Sequence, residues 1–178
     1  MDHLIDSHIE FINAQPMFFV ATALATGRVN VSPKGLDSLR VIDSQRVVWL
    51  SLTGSGNETA THVAMNGQMT LMFMSMTDRP LILRLYGQAT VVHPRYERWS
   101  NLARLFPTYA STRQIFDMSI EQVAASCGSG VPIMDLVAVR GDKDLDPFYA
   151  AMTTDELDDY WQQKNTISID GHPTGMNP

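Results

Sequence analysis

The sequence predicts a mainly β protein, an antiparallel barrel or sandwich with helices packed outside it. Three observations point there. Apolar, β-rich segments follow one another through the first half of the chain. The turns between them are short. Helical periodicity is confined to the two ends and a few interruptions.

The elements follow in order. Leu4, Ile5, Ile9 and Ile12 fall at helical spacing, so a short amphipathic helix opens the chain and Pro16 stops it. Phe18 to Ala25 is apolar and β-rich, Thr26-Gly27 turns the chain, and Arg28 to Ser32 returns with alternating Val29 and Val31. Pro33-Lys34-Gly35 reads as a second turn. Leu39 to Ile42 and Arg46 to Leu52 form a hairpin around Asp43-Ser44-Gln45. Glu58 to Met65 is a short helix closed by Asn66-Gly67. Gln68 to Met76 and Leu81 to His93 are two longer strands around Thr77-Asp78-Arg79-Pro80.

Pro94 suits the first turn of a further helix, with Trp99, Leu102 and Phe106 on one face. From Arg113 to Ala124, Phe116, Met118 and Ile120 alternate with Asp117, Ser119 and Glu121, which predicts a strand. Leu136 to Arg140 is expected to end the sheet. Thr153 with Glu156 is a capping-box pattern that starts a last helix through Lys164; the tail from Thr166 has no periodicity.

A chain of 178 residues, 44% of them apolar, fits one domain with a full core. The expected division is an N-terminal helix (1–15), a barrel core (17–93), a helix with closing strands (94–140) and a C-terminal helix and tail (146–178). The net charge of −6 and the lack of a basic stripe argue against nucleic-acid binding. They also mean that a bound phosphate needs a local cluster of donors. The single cysteine, Cys127, excludes an intrachain disulfide and suits a reducing cytoplasm. Met1 to Glu10 carries Asp2, Asp6 and Glu10 and does not read as a signal peptide, and no stretch is long and apolar enough to span a bilayer. The histidines, His3, His8, His62, His93 and His172, lack ligand spacing, so no metal is expected.

Three segments carry the candidate chemistry. Thr53-Gly54-Ser55-Gly56-Asn57-Glu58-Thr59 leaves a strand and opens a helix; its amides, with Asn57 and Thr59, suit an anion, and it reads equally as a flexible turn with Asn57 as an ordinary cap. In Ser32-Pro33-Lys34-Gly35, Lys34 is positioned either to reach the same anion or to be a solvated turn lysine. Arg84, between Leu83 and Leu85, points opposite to them, toward a phosphate or toward solvent.

The order of these segments, ending in Arg84-Leu85-Tyr86-Gly87, resembles the pyridoxamine 5′-phosphate oxidase-related family over about residues 17–93. Ser126-Cys127-Gly128-Ser129-Gly130-Val131-Pro132 and the stretches Lys164-Asn165 and Ser168-Ile169-Asp170-Gly171 resemble one branch of it. The resemblance implies an antiparallel split β-barrel, bound FMN and a homodimer whose second copy closes the flavin. It implies that Ser32 and Lys34 contact the flavin, with Thr53 a further contact. Asn57, Glu58 and Thr59 would close on the FMN phosphate, and Arg84 would line the same groove. Glu58 departs from the basic side chains of the oxidases proper. The C-terminus, Asp170-Gly171-His172-Pro173-Thr174-Gly175, lacks their arginine-rich segment, which argues against vitamin oxidation.

The leading expectation is therefore an FMN-dependent oxidoreductase of unknown substrate. The alternatives are a carrier or sensor of flavin or haem, with His62 or His172 as axial ligand, and a deazaflavin-dependent reductase. Cys127 and the eleven methionines read as packing rather than chemistry.

Overall fold

A computed structural model describes residues 1–176; Asn177 and Pro178, the end of the tail, lie outside the described residues. Seven antiparallel strands form one sheet in the order β2-β1-β5-β6-β7-β4-β3. They are β1 (Phe18–Thr22), β2 (Asn30–Lys34), β3 (Leu39–Asp43), β4 (Arg46–Leu52), β5 (Gln68–Met74), β6 (Ile82–Val92) and β7 (Thr112–Ser126). The helices are α1 (Asp6–Ala14), α2 (Glu58–Asn66), α3 (Trp99–Ala103), α4 (Asp146–Ala150) and α5 (Thr154–Lys164), with a π-helical turn at Gly141–Leu145. Among the described residues no helix is long and apolar enough to cross a membrane.

The sheet rolls up because both its ends contribute to one core. β1 and β4 stand four places apart in the strand order, yet the Phe18 and Trp49 rings meet edge to face at 6.1 Å. Val20, Leu71, Leu85 and Met118 fill the same interior, each fully buried. A second cluster, Val48, Leu50 and Ile115 under Leu102 and Phe106, lies outside β4 and β7. Both faces of β4 are thus covered, which explains its unbroken apolar run. The alternating β7 pairs with β6 on one side and β4 on the other.

Four local expectations need correction. Pro33 and Lys34 belong to β2 rather than to a turn; β2 is an edge strand, where a missing N–H costs no ladder bond. The turn follows at Leu36 and Asp37, whose φ values of 61° and 48° are left-handed. Val29 lies before β2, and Val29 and Val31 are exposed rather than inward. The helix expected from Pro94 begins only at Trp99. Leu136–Arg140 forms no strand: it runs unpaired along the surface, because β3 and β2 already end the sheet.

Candidate functional site

A groove of about 770 Å³ opens where β2, the end of β4 and the start of α2 meet. In β2 the exposure alternates, so Asn30, Ser32 and Lys34 share the inward face while Val31 and Pro33 look outward. The 53–57 loop and the first turn of α2 form one wall, and residues 163–169 form a roof. Ala60 N donates to the Asn57 carbonyl at 3.1 Å, which leaves the Glu58 and Thr59 amides without a carbonyl to bond within the helix and adds positive partial charge at this end.

Three cations line this groove: the exposed Lys164 at its roof, and Lys34 and Arg113 deeper in it. Among the described residues Lys34 has no carboxylate partner; its Nζ lies 5.6 Å from the centre of the Trp49 ring. Burial, and then the neighbouring Arg113, pull its pKa from 10.5 down to about 8. Arg113 is 4% exposed and also has no acid partner among the described residues. Its Nη1 donates to Gly56 O (3.0 Å) and Asn165 Oδ1 (2.7 Å), and its Nη2 to Ser51 Oγ (3.2 Å). Its Nε is buried with no hydrogen-bond partner among the described residues. Burial lowers its pKa to about 10 against the opposing effect of Tyr149 and Tyr160. A buried guanidinium whose hydrogen-bond partners are all neutral, with a second cation nearby, is costly unless an anion completes it.

Six of the seven expected site residues line this groove: Ser32, Lys34, Thr53, Asn57, Glu58 and Thr59. Not all are free to bind. The Asn57 side chain is engaged by Gln114, whose Nε2 donates to Asn57 Oδ1 at 2.6 Å, and its own Nδ2 turns toward Gln114 Oε1. Thr53 Oγ1 accepts from Trp161 Nε1 at 3.0 Å, and Thr59 Oγ1 accepts from Asn30 Nδ2 at 3.1 Å. Glu58 forms no ion pair among the described residues, and its carboxylate accepts from the Ile169 amide at 2.9 Å.

Arg84 is the exception. Leu83 and Leu85 are fully buried, so Arg84 lies on the outer face of β6, where its Nη1 donates to Ser126 Oγ at 3.2 Å. It does not converge with Lys34, and Arg113 takes the place expected for it.

Sequence reasoning missed Arg113, Gln114 and the tail. Ser51 pairs with Gln114 but Leu52 pairs with Thr112, so Arg113 is the extra residue of a bulge and turns inward beside Gln114. The tail is held by side chains rather than by periodic packing. Asp170 pairs with Arg28 through both the backbone amide and the guanidinium. Thr61 Oγ1 donates to Pro173 O and Arg95 Nη2 to Gly175 O. Asn165 is fully buried and links Arg113, Gly54 and Thr174. The cluster of Asn, Asp and Thr in an aperiodic C-terminus was the available signal. His62 is buried against Thr22 Oγ1 at 2.9 Å, on the core side of α2.

Comparison with known proteins agrees with this architecture. The family model described as pyridoxamine 5′-phosphate oxidase matches residues 4–127. A pyridoxamine 5′-phosphate oxidase family protein of Aspergillus flavus, ustO, is 33% identical over 97% of this chain and 76% of its own length. Among solved structures, HupZ of Group A Streptococcus superposes with a TM-score of 0.56 at 21% identity, covering 72% of this chain and 98% of that one. A Clostridium acetobutylicum protein related to general stress protein 26, of the pyridoxinephosphate oxidase family, gives 0.52 at 14% identity over 66% and 84%.

Proposed function

The chain belongs to the pyridoxamine 5′-phosphate oxidase family, and from that premise we propose that its groove holds FMN and that the protein is an FMN-dependent oxidoreductase. The observation that carries this reading is the pair of cations, Lys34 and Arg113, that line the groove beside the start of α2 without an acid partner among the described residues. FMN brings close to two negative charges to a protein of net charge −6, so short-range donors must hold it. The orphan Nε of Arg113 and the first-turn amides fit a phosphate, while Trp49, Leu36 and Ile167 give the groove apolar wall for a ring. A bound flavin would accept and deliver the electrons of the reaction. The chain's own part is to bind and orient it and to keep water out with the tail.

Titration with FMN and with riboflavin tests this. Lys34→Met and the milder Arg113→Lys should each weaken FMN binding by about ten- to a hundredfold, because one charge-assisted hydrogen bond is worth about 1.5–3 kcal/mol. Riboflavin, lacking the phosphate, should bind almost unchanged. Equal losses for both ligands overturn the phosphate assignment. Reduction of the FMN-loaded protein by NADH or NADPH, followed by reoxidation with candidate acceptors, separates an enzyme from a carrier.

We further propose a cytoplasmic homodimer. Cys127 is an exposed free thiol, which suits a reducing compartment. Ile133 and Val137 are 70% and 94% exposed on the unpaired 131–140 segment, a composition that suits burial against a second copy. An interface of about 1,600 Å² or more is expected, and a monomer in sedimentation at micromolar concentration counts against it.

A further inference from the structure

A second cavity, of about 740 Å³, lies against the first. The two share a wall made of Pro33, Lys34, Gly35, Leu36 and Leu145. Beyond that wall their chemistry differs. The first groove is built from hydroxyls, amides, three cations and the Glu58 carboxylate. The second is lined by Met17, Met76, Met134, Leu136, Val139 and Phe148. Leu136 and Phe148 are 64% and 55% exposed although they line a concave surface. Apolar side chains left open around a concavity are characteristic of a ligand site.

We propose that this chamber binds an apolar small molecule, aromatic or long-chained, that presents a single oxygen group to Lys34. Its being the substrate of the flavin rests on the reading above; its being a binding site does not. Apart from Lys34, the charged residues lining it are Asp135, Asp144 and Arg140, so the two carboxylates outnumber the one guanidinium. A phosphate dianion would meet two cations balanced by two carboxylates, with no net positive charge to hold it, and a phosphorylated vitamin is therefore the wrong class of ligand. A single carbonyl, phenolate or carboxylate oxygen asks for one donor, and Lys34 on the shared wall is that donor. The walls also say how selective the site is. Three of the six apolar side chains named are methionines, which adapt to ligands of different outline. The chamber selects by polarity more than by shape.

A second copy of the chain is the competing occupant. The 131–140 segment divides between the two uses. Met134, Leu136 and Val139 line the chamber, whereas the more exposed Val137 and Ile133 do not and are left for the partner.

The probe is 8-anilinonaphthalene-1-sulfonate, an apolar ring system with one anionic group. The full-length protein should bind one molecule per chain, saturably and with blue-shifted emission. The double variant Leu136→Ser, Phe148→Ala changes exposed side chains only and should keep its thermal unfolding. It should lose about tenfold in probe affinity, roughly 1.4 kcal/mol, while its FMN titration stays unchanged. Lys34→Met should weaken both ligands. Undiminished probe binding in the double variant overturns the proposal. So does a fall from dimer to monomer in sedimentation caused by the same two substitutions, since the chamber would then be a contact between copies. Loss of FMN binding with the probe response intact would remove the flavin reading and leave the chamber standing.

Discussion

At the scale of single residues, Lys34 connects sequence to function most directly. Its place on the inward face of β2 follows from strand alternation, since Ser32 and Lys34 are two residues apart. Burial and Arg113 then lower its pKa to about 8. Between about 8 and 10.5 the unfolded chain holds a proton that the folded protein has released, so Lys34 makes the ligand-free protein more stable as pH rises through that window. Anion binding runs the other way, because it needs the ammonium. FMN affinity should fall above pH 8, by up to about tenfold per unit, and riboflavin affinity should not. In Lys34→Met the slope should disappear from an FMN titration followed across pH 7 to 9.5; a retained slope would assign it to another group. Lys34 was legible as a site residue through the family resemblance, but its place on the inward face of β2 was not, because Pro33-Lys34-Gly35 reads as a turn. Arg113 was not legible, because its orientation comes from a one-residue bulge between Ser51 and Leu52 that no alternation pattern records. Arg84 shows the converse. Alternation fixed its side of the strand but not which side faces the groove, and the buried Leu83 and Leu85 decide that.

At the scale of elements, strands and helices whose signals are local matched the sequence closely. The β3–β4 hairpin falls within a residue of expectation, and α2 ends at Gly67, whose φ of 73° is the left-handed cap its Asn-Gly pair implied. Thr153 caps α5 with its side chain accepting from the Glu156 amide. Thr153→Ala should cost about 1 kcal/mol in chemical denaturation. It should also loosen the groove, since α5 carries Trp161 to Thr53. Irregular pieces were not legible. Leu136–Arg140 has strand composition, but the sheet has no free place for it. Gly87 marks another bulge, where β6 slips against β7 between Tyr86 and Gly87. A Cβ there would collide with the Ser119 carbonyl and approach Ile120 Cα to 3.2 Å, both backbone atoms that cannot swing aside. Gly87→Ala should therefore destabilise the protein by about 1–3 kcal/mol, visible as a drop of several degrees in Tm. An unchanged Tm would mean that the two strands separate there at no cost.

At the scale of the whole molecule, the tail joins parts of the chain that the sheet leaves separate. Residues 165–175 touch the β1–β2 turn through Asp170 and Arg28, α2 through Thr61 and Glu58, and the segment after β6 through Arg95. Beneath it lies His93, 4% exposed, with the Tyr96 ring edge-on at 5.5 Å. Burial, and then the positive charges of Arg95 and Arg113, lower its pKa from 6.5 to about 4. His93 is therefore neutral in the folded protein at pH values where the unfolded chain protonates it. Between about 6.5 and 4 unfolding takes up a proton, so stability is lost as pH falls through that window. Arg95 is the group most directly opposed to a protonated His93, and Arg95 also holds the Gly175 carbonyl. The tail is the part that should yield first. Thermal unfolding followed from pH 7 to 4 should show a falling Tm, and His93→Gln, which cannot take up the proton, should flatten the fall. Hydrogen exchange over residues 166–175 should quicken in acid before exchange in β4 and β7 does. If His93→Gln loses stability in acid as steeply as the parent protein, the acid sensitivity belongs to Asp170, whose carboxyl is held below its usual range by the Arg28 amide and guanidinium, and the tail is held independently of His93.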